Sequence, residues 1–304
     1  MEQLLQTTKV DLSAIDVIAV TQGPGLIGAL LVGVAYAKAL GLALNKPVVP
    51  VDHVHAHVIG GLLGDDHSPA SPFSTFCAHF PALALVVSGG HTNLYLMNDA
   101  TDFNLLAYSL DDACGECFDK VAKRLGLEYP GGPKIEQLAR AGNASLIPMP
   151  RTVKETQRLQ FSYSGLKTHM VNWIETRRRQ FPGPEGNLTD DDRQNAAAAF
   201  QDEALMQLVR KLALAQQRTA ARCVVIAGGV AANQRFRQLA AQALGGLPII
   251  FPQLRYCADN GAMIAALGLL LWQRQTPMPY SAEPSFANSD WEPYSRYAFN
   301  PPIA

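Results

Sequence analysis

Asp16–His57 reads DVIAVTQGPGLIGALLVGVAYAKALGLALNKPVVPVDHVHAH, and its order of apolar runs and turns decides the fold. A short β-branched run, Asp16–Thr21, ends at Gly23-Pro24-Gly25. Nineteen residues, Leu26–Leu44, follow with Lys38 as their only charge. A second β-branched run, Pro47–Val51, then runs directly into three histidines. Strand, helix, strand in this order is a β–α–β unit, whose strands lie parallel because the helix carries the chain back. The apolar stretch is long enough to span a bilayer. Five of its residues are alanine and three glycine, which suits a helix pressed between a sheet and its neighbours, and the reading here is a buried helix with no membrane partner.

Working outward, the same pattern returns twice. Leu83–Val87 turns at Ser88-Gly89-Gly90 into another strand, Thr92–Met97, and Cys223–Ala227 opens through Gly228-Gly229 into a helix from about Ala231. The strand–Gly-Gly–strand hairpin is antiparallel, so the fold class is α/β with mixed sheets flanked by helices. Helical patterns fill Asp111–Leu125, Ile135–Ala141, Leu166–Gln180, Arg193–Gln217 and Asn260–Trp272. Loops rich in Pro, Ser, Gly and Asp occupy Gly64–Pro81 and Gln180–Asp190. Residues 1–80 are expected as a first lobe, 81–272 as a second, and 273–304 as an irregular tail packing back on the first.

Composition narrows the function classes. Hydrophobic residues make up 48% of the 304 and charged residues 17%, enough to bury a core and too apolar for disorder. Five cysteines, an odd number, favour a reducing cytoplasm over a disulfide framework. Net charge is −1, so an RNA contact needs a local patch. Arg151, Lys154, Arg158, Lys167 and Arg177-Arg178-Arg179 gather positive charge against Glu155 and Glu175. That reads as a candidate tRNA surface or equally as a solvated helix face.

Three of the seven histidines fall within five residues. His53 and His57, four apart on a helix, share a face with Cβ atoms about 5–6 Å apart, the spacing that lets two imidazoles bind one metal. His55 lies on another face. A third ligand has to come from elsewhere, and Asp259 is one option, although in its place before a helix it also reads as a simple N-cap. The paired glycines after Ser88 and at Gly228 allow the backbone to approach a phosphate. Neither fits the phosphate-loop or dinucleotide pattern, and either alone reads equally as a tight turn, as does Pro130-Gly131-Gly132-Pro133. Asp119 sits late in its helix, where its charge opposes the helix dipole, a cost compatible with a ligand role. Cys114 and Cys117 lack the second pair of a zinc ribbon and read as small apolar fillers.

Seven motifs stand in sequence: TQGPGLIGALLVG, HVHAH, VVSGGHT, DDACGECFDKVAKRLGLEYPGGP, FSYSGLKT, GGVAANQRFR and CADNGAMIA. In this order they resemble the TsaD family of tRNA N6-adenosine threonylcarbamoyltransferases over roughly residues 15 to 270. The resemblance implies the two-lobed actin-like ATPase (ASKHA) fold with nucleotide in the cleft between lobes. It implies His53, His57 and Asp259 as ligands of an iron or zinc ion. It implies Val86, Val87, Ser88, Gly89 and Gly90 as the main substrate loop, with Asp119, Gly132 and Asn233 holding the adenylate of threonylcarbamoyl-AMP. The implied reaction makes threonylcarbamoyladenosine (t6A) at adenosine 37 of tRNAs reading ANN codons, with an inactive paralogue and a small ATPase as partners. Family members begin with a further few dozen residues, so the first lobe is expected to be N-terminally truncated. No general base is named by the motifs.

Rival readings are a related metal-dependent carbamoyltransferase and an inactive scaffold paralogue. A zinc protease is disfavoured because the HxxxH here lacks the glutamate of HExxH.

Overall fold

The computed structural model describes residues 1–64, 79–151, 158–180, 188–275 and 291–295. Lys154 and Glu155, much of the two expected loops and most of the expected tail lie outside the described residues. In chain order come α1 (Glu2–Thr8), β1 (Ile18–Gly23), α2 (Ile27–Leu44), β2 (Val48–Asp52) and α3 (His53–Gly60). Then follow β3 (Ala82–Val87), β4 (Thr92–Asp99), β5 (Asp102–Tyr108), α4 (Cys114–Arg124), α5 (Gly131–Ala139), α6 (Ser164–Gln180) and α7 (Asp190–Arg218). The last are β6 (Cys223–Ala227), α8 (Gln234–Ala243), β7 (Ile249–Ile250) and α9 (Gly261–Gln275). The chain divides into two compact units, Met1–Gly60 with Asp259–Ala304, and Gly61–Ala258. Helix α9 therefore groups by contact with the opening of the chain, although by sequence it follows the second unit.

In the first unit β1 and β2 pair in parallel, Ile18 opposite Val48 and Thr21 opposite Val51, as a β–α–β unit requires. Helix α2 ends at Asn45, whose φ of 51° is left-handed, and Gly41 beside it lets the helix turn close over β2: a Cβ there would stand 2.4 Å from Val48. Only Val34, Ala37 and Gly41 of α2 are buried, a single stripe, while Leu31, Val32, Tyr36 and Leu42 are exposed. The expectation of a buried helix is corrected here. A sequence apolar all round carries no period to say which face is covered, and the two strands meet only one. Among the described residues α2 is the one helix long and apolar enough to cross a membrane. Helix α9 lies against α3, β1 and β2. Gly60 and Gly268 make that approach possible, since a Cβ on either would stand 2.6 Å from Met263 and 2.4 Å from Ala19 respectively.

The second unit is built on a five-stranded sheet of order β5-β4-β3-β6-β7. β3 runs antiparallel to β4 and parallel to β6, so the sheet is mixed, as the Gly-Gly hairpin predicts. β3 and β6 are buried throughout, which explains their continuous apolar runs. The long helix α7 begins at Thr189, whose hydroxyl accepts from the N–H of Asp192, with Asp190, Asp191 and Asp192 in the positive first turn. Its apolar face, including Phe200, Leu205, Leu208 and Leu212, joins α4, α5 and α6 in one core.

Candidate metal centre and nucleotide loops

Helix α3 starts where β2 stops because Asp52 caps it. Asp52 Oδ1 accepts from the N–H groups of Val54 and His55, both at 2.9 Å. His53 and His57 then share a face, their ring centroids 4.9 Å apart. From the start of α9 comes Asp259, with Oδ1 3.1 Å from Nε2 of His57 and 3.5 Å from Nε2 of His53. One candidate ligand atom from each of the three residues lies within 4.8 Å of the others. Asp259 is released for this because its neighbour does the capping: Asn260 Oδ1 accepts from the N–H of Met263 at 2.9 Å.

His57 is buried, and both its ring nitrogens lack a hydrogen-bond partner. Nε2 lies 3.1 Å from Asp259 Oδ1 without the alignment of a hydrogen bond. A buried imidazole left in this state is costly, and a cation between the three residues would give its Nε2 a partner. The imidazoles of His53 and then His57 hold the carboxyl of Asp259 well below the usual carboxylate range, so it is anionic. Two imidazoles and a carboxylate suit zinc or iron. His55 points elsewhere, its Nδ1 3.8 Å from Asp52, and burial lowers its pKa against the raising effect of that carboxylate.

In the second unit Val86 and Val87 are buried at the end of β3, and Ser88-Gly89-Gly90 continues from them. The turn is tight: the Ser88 N–H donates to the carbonyl of His91, and the His91 N–H donates to Ser88 Oγ. Because β6 lies parallel beside β3, Gly228-Gly229 emerges at the same sheet edge. Gly228 has φ of 88°, and a Cβ there would stand 2.4 Å from the carbonyl oxygen of Val87, so glycine is required twice over. Helix α4 also abuts the loop: the Gly115 N–H donates to the Ser88 carbonyl, and the Cys114 N–H donates to Thr92 Oγ1.

Asp119 has a local explanation. Its Oδ1 accepts from the N–H of Gly131 at 2.7 Å, anchoring the start of α5, where Pro130 has no polar side-chain group to cap with. The Pro-Gly-Gly-Pro stretch is thus the opening of a helix rather than a plain turn, with Gly132 facing open space. Asn233 is buried and caps α8, accepting from the Phe236 N–H and donating to Gln201 Oε1. Asp119 and Gly131 line a pocket of about 330 Å³. A second pocket of about 500 Å³ is lined by Glu136, Arg140, Asn143, Gln201, Gln234 and Arg235. Of the basic run, Arg177 pairs with Asp192 at 2.9 Å and Arg178 donates to the Arg124 carbonyl. Cys114 and Cys117 are buried, burial pushing the Cys114 thiol up to about 12.

Sequence reasoning passed over the acidic pair before α4. Asp111 accepts from the hydroxyls of Ser162 and Ser164 and from the N–H groups of Tyr163 and Ser164. Burial pushes its carboxyl up, but those bonds outweigh it and hold it below the ordinary range. Asp112 pairs with Lys120 and Lys167. The signal was the Ser-x-Ser of FSYSG, four unsatisfied donors and hydroxyls awaiting one carboxylate.

A mixed sheet with glycine turns at its edge, and a β–α–β unit carrying a two-histidine helix, agree with the actin-like ATPase fold that the sequence resemblance implies. The solved HypF structure from T. kodakarensis shares it, at a TM-score of 0.59 and 12% identity over 90% of this chain. This chain spans 43% of that one, and the likeness concerns the fold alone. The chain belongs to the TsaD family, tRNA N6-adenosine threonylcarbamoyltransferase, whose family model matches residues 1–266. It is 44% identical over 283 residues to the tRNA N6-adenosine threonylcarbamoyltransferase of Moorella thermoacetica, covering 92% of this chain and 78% of that protein. To the protein of the same name from Herminiimonas arsenicoxydans it is 41% identical, covering 90% and 75%.

Proposed function

We propose that this chain transfers the threonylcarbamoyl group of threonylcarbamoyl-AMP to N6 of adenosine 37 in tRNAs reading ANN codons. Membership of the family supports the reaction, and the single observation that carries the site is the convergence of His53, His57 and Asp259 around a buried imidazole without a hydrogen-bond partner. These three residues would hold one iron or zinc ion, His57 fixed by burial and His53 by the Asp52 cap. When bound, such an ion supplies Lewis-acid charge to an acyl oxygen.

The chain's remaining contribution is positioning, because the exocyclic amine of adenine is a weak nucleophile. In the transfer the N6–carbamoyl bond forms, the bond from the carbamoyl carbon to the phosphate oxygen breaks, AMP leaves and N6 gives up a proton. Val86 to Gly90 would carry the donor, with Asp119, Gly132 and Asn233 around its adenylate. N–H groups of the Ser88 and Gly228 turns would oppose charge on the departing phosphate. Asp119 and Asn233 act in this through the helix starts they hold. Arg179 is the member of the basic run best placed to meet tRNA phosphates, since Arg177 and Arg178 have intramolecular partners. The reading places the protein in the cytoplasm, working with an inactive paralogue and a small ATPase.

The test is nucleoside mass spectrometry on unmodified tRNA incubated with the chain, those partners and the donor. Threonylcarbamoyladenosine is the expected product; its absence beside an active relative overturns the reading.

A further inference from the structure

The family match ends at residue 266, yet a short segment beyond it lies against the base of the metal-bearing helix. Residues 291–295 follow the end of β1. Lys38 Nζ donates to the Trp291 carbonyl at 3.0 Å and sits 4.4 Å above its ring. Gln22 Nε2 donates to the Glu292 carbonyl at 2.7 Å, and the Tyr294 N–H returns a bond to the Gln22 carbonyl. The Gly25 N–H donates to the carbonyl of Ser295. Tyr294 lies directly on Gly23, where a Cβ would stand 2.8 Å from the ring and 2.2 Å from the tyrosine carbonyl.

The hydroxyl of Tyr294 donates to Asp52 Oδ2. Asp52 thus divides its carboxylate: Oδ1 caps α3 through Val54 and His55, and Oδ2 takes Tyr294. His53 is the next residue along the chain. We propose that Tyr294 is a positioning residue for the His53–His57–Asp259 cluster, acting through Asp52 on the first turn of α3. The proposal rests on the metal reading above. Its physical basis is that ligand sets tolerate little displacement, and that residues fixing the ligands' own supports matter nearly as much as the ligands. A carboxylate held at one oxygen can pivot; held at both, it fixes where the helix begins.

The experiment titrates the metal-free full-length chain with cobalt(II), reading visible absorption and competition with a chromophoric chelator. AMP binding and the unfolding midpoint are measured alongside. Tyr294→Phe keeps the ring on Gly23 and removes the hydroxyl. It should weaken cobalt binding about tenfold and alter the absorption bands, with AMP affinity and midpoint unchanged. In a double-mutant cycle with Asp52→Asn the two effects should be less than additive, since they share one path. Trp291→Ala, which removes the ring under Lys38 and keeps the segment's backbone bonds, should weaken cobalt binding less than Tyr294→Phe, without touching Asp52. If Tyr294→Phe binds cobalt as the unchanged chain does while His57→Ala has lost it, the positioning role is overturned and the metal reading stands. If Tyr294→Phe lowers the midpoint and AMP binding along with cobalt binding, the tyrosine is a general structural support and the proposal falls. Cobalt binding absent from the unchanged chain, or undiminished in His57→Ala, overturns the metal reading itself.

Discussion

In the first unit three side chains converge from the starts of two helices. In the second, backbone turns at the ends of β3 and β6 carry the candidate contacts, and Asp119 and Asn233 are occupied in holding helix starts. The two regions should therefore fail differently. The cluster is sensitive to removing atoms, because its candidate ligand atoms are side-chain nitrogens and oxygens. The second region is sensitive to adding them at Gly228, where a Cβ would meet the Val87 carbonyl, while Gly89, Gly90 and Gly229 face open space.

The sharpest break of that contrast is His57→Ala. Metal content per chain should fall from about one to under a tenth, with transfer lost, while the chain stays folded, since a zinc-type site loses affinity steeply with each ligand. Elemental analysis alongside nucleoside mass spectrometry reads both. Gly228→Ala is the reciprocal test. Strain at φ 88° and collision with the Val87 carbonyl should cost about 2–4 kcal/mol in denaturant unfolding. AMP binding should go with it, and metal content should remain. If metal were lost equally in Gly228→Ala, the distinction between the two regions would not hold.

Asp111→Ala probes a support of the second region. Removing the shared acceptor of Tyr163, Ser162 and Ser164 should cost about 0.5–2 kcal/mol, as for a helix cap. The sign with pH follows from its depressed carboxyl. Native-state bonds favour the anion, so the stabilisation is complete above the unfolded value, about 3.9, and is lost as pH falls through the lower folded value. Acid unfolding curves of Asp111→Asn should accordingly be flatter below about pH 4. The smallest effect is expected at the basic run. Arg179→Glu should weaken tRNA binding and lower its salt slope by about one, whereas Arg177→Glu, which breaks the Asp192 pair, should act mainly on stability.

Much of the fold was legible. Period and turn chemistry marked β1, β2, β3, β4 and β6 to within two residues, and the Gly-Gly hairpin announced a mixed sheet. Helix starts were less legible where the cap is distant in sequence. Helix α5 was read from Ile135 but begins at Gly131, because its support is Asp119 on another helix. Helix α2 was read as buried, because uniform apolarity says how much surface there is to cover and nothing about what covers it.

By itself the sequence determined the local parts of this protein. Spacing put His53 and His57 on one face and glycines where β3 and β6 end, since these depend on bonds and sterics within a few residues. Only the tertiary structure decided that Asp259 faces the histidines while Asn260 caps α9, and that Tyr294 reaches Asp52. Those contacts depend on how α9 and the segment after it pack, through close approaches at Gly60, Gly268 and Gly23 that no neighbouring residue encodes.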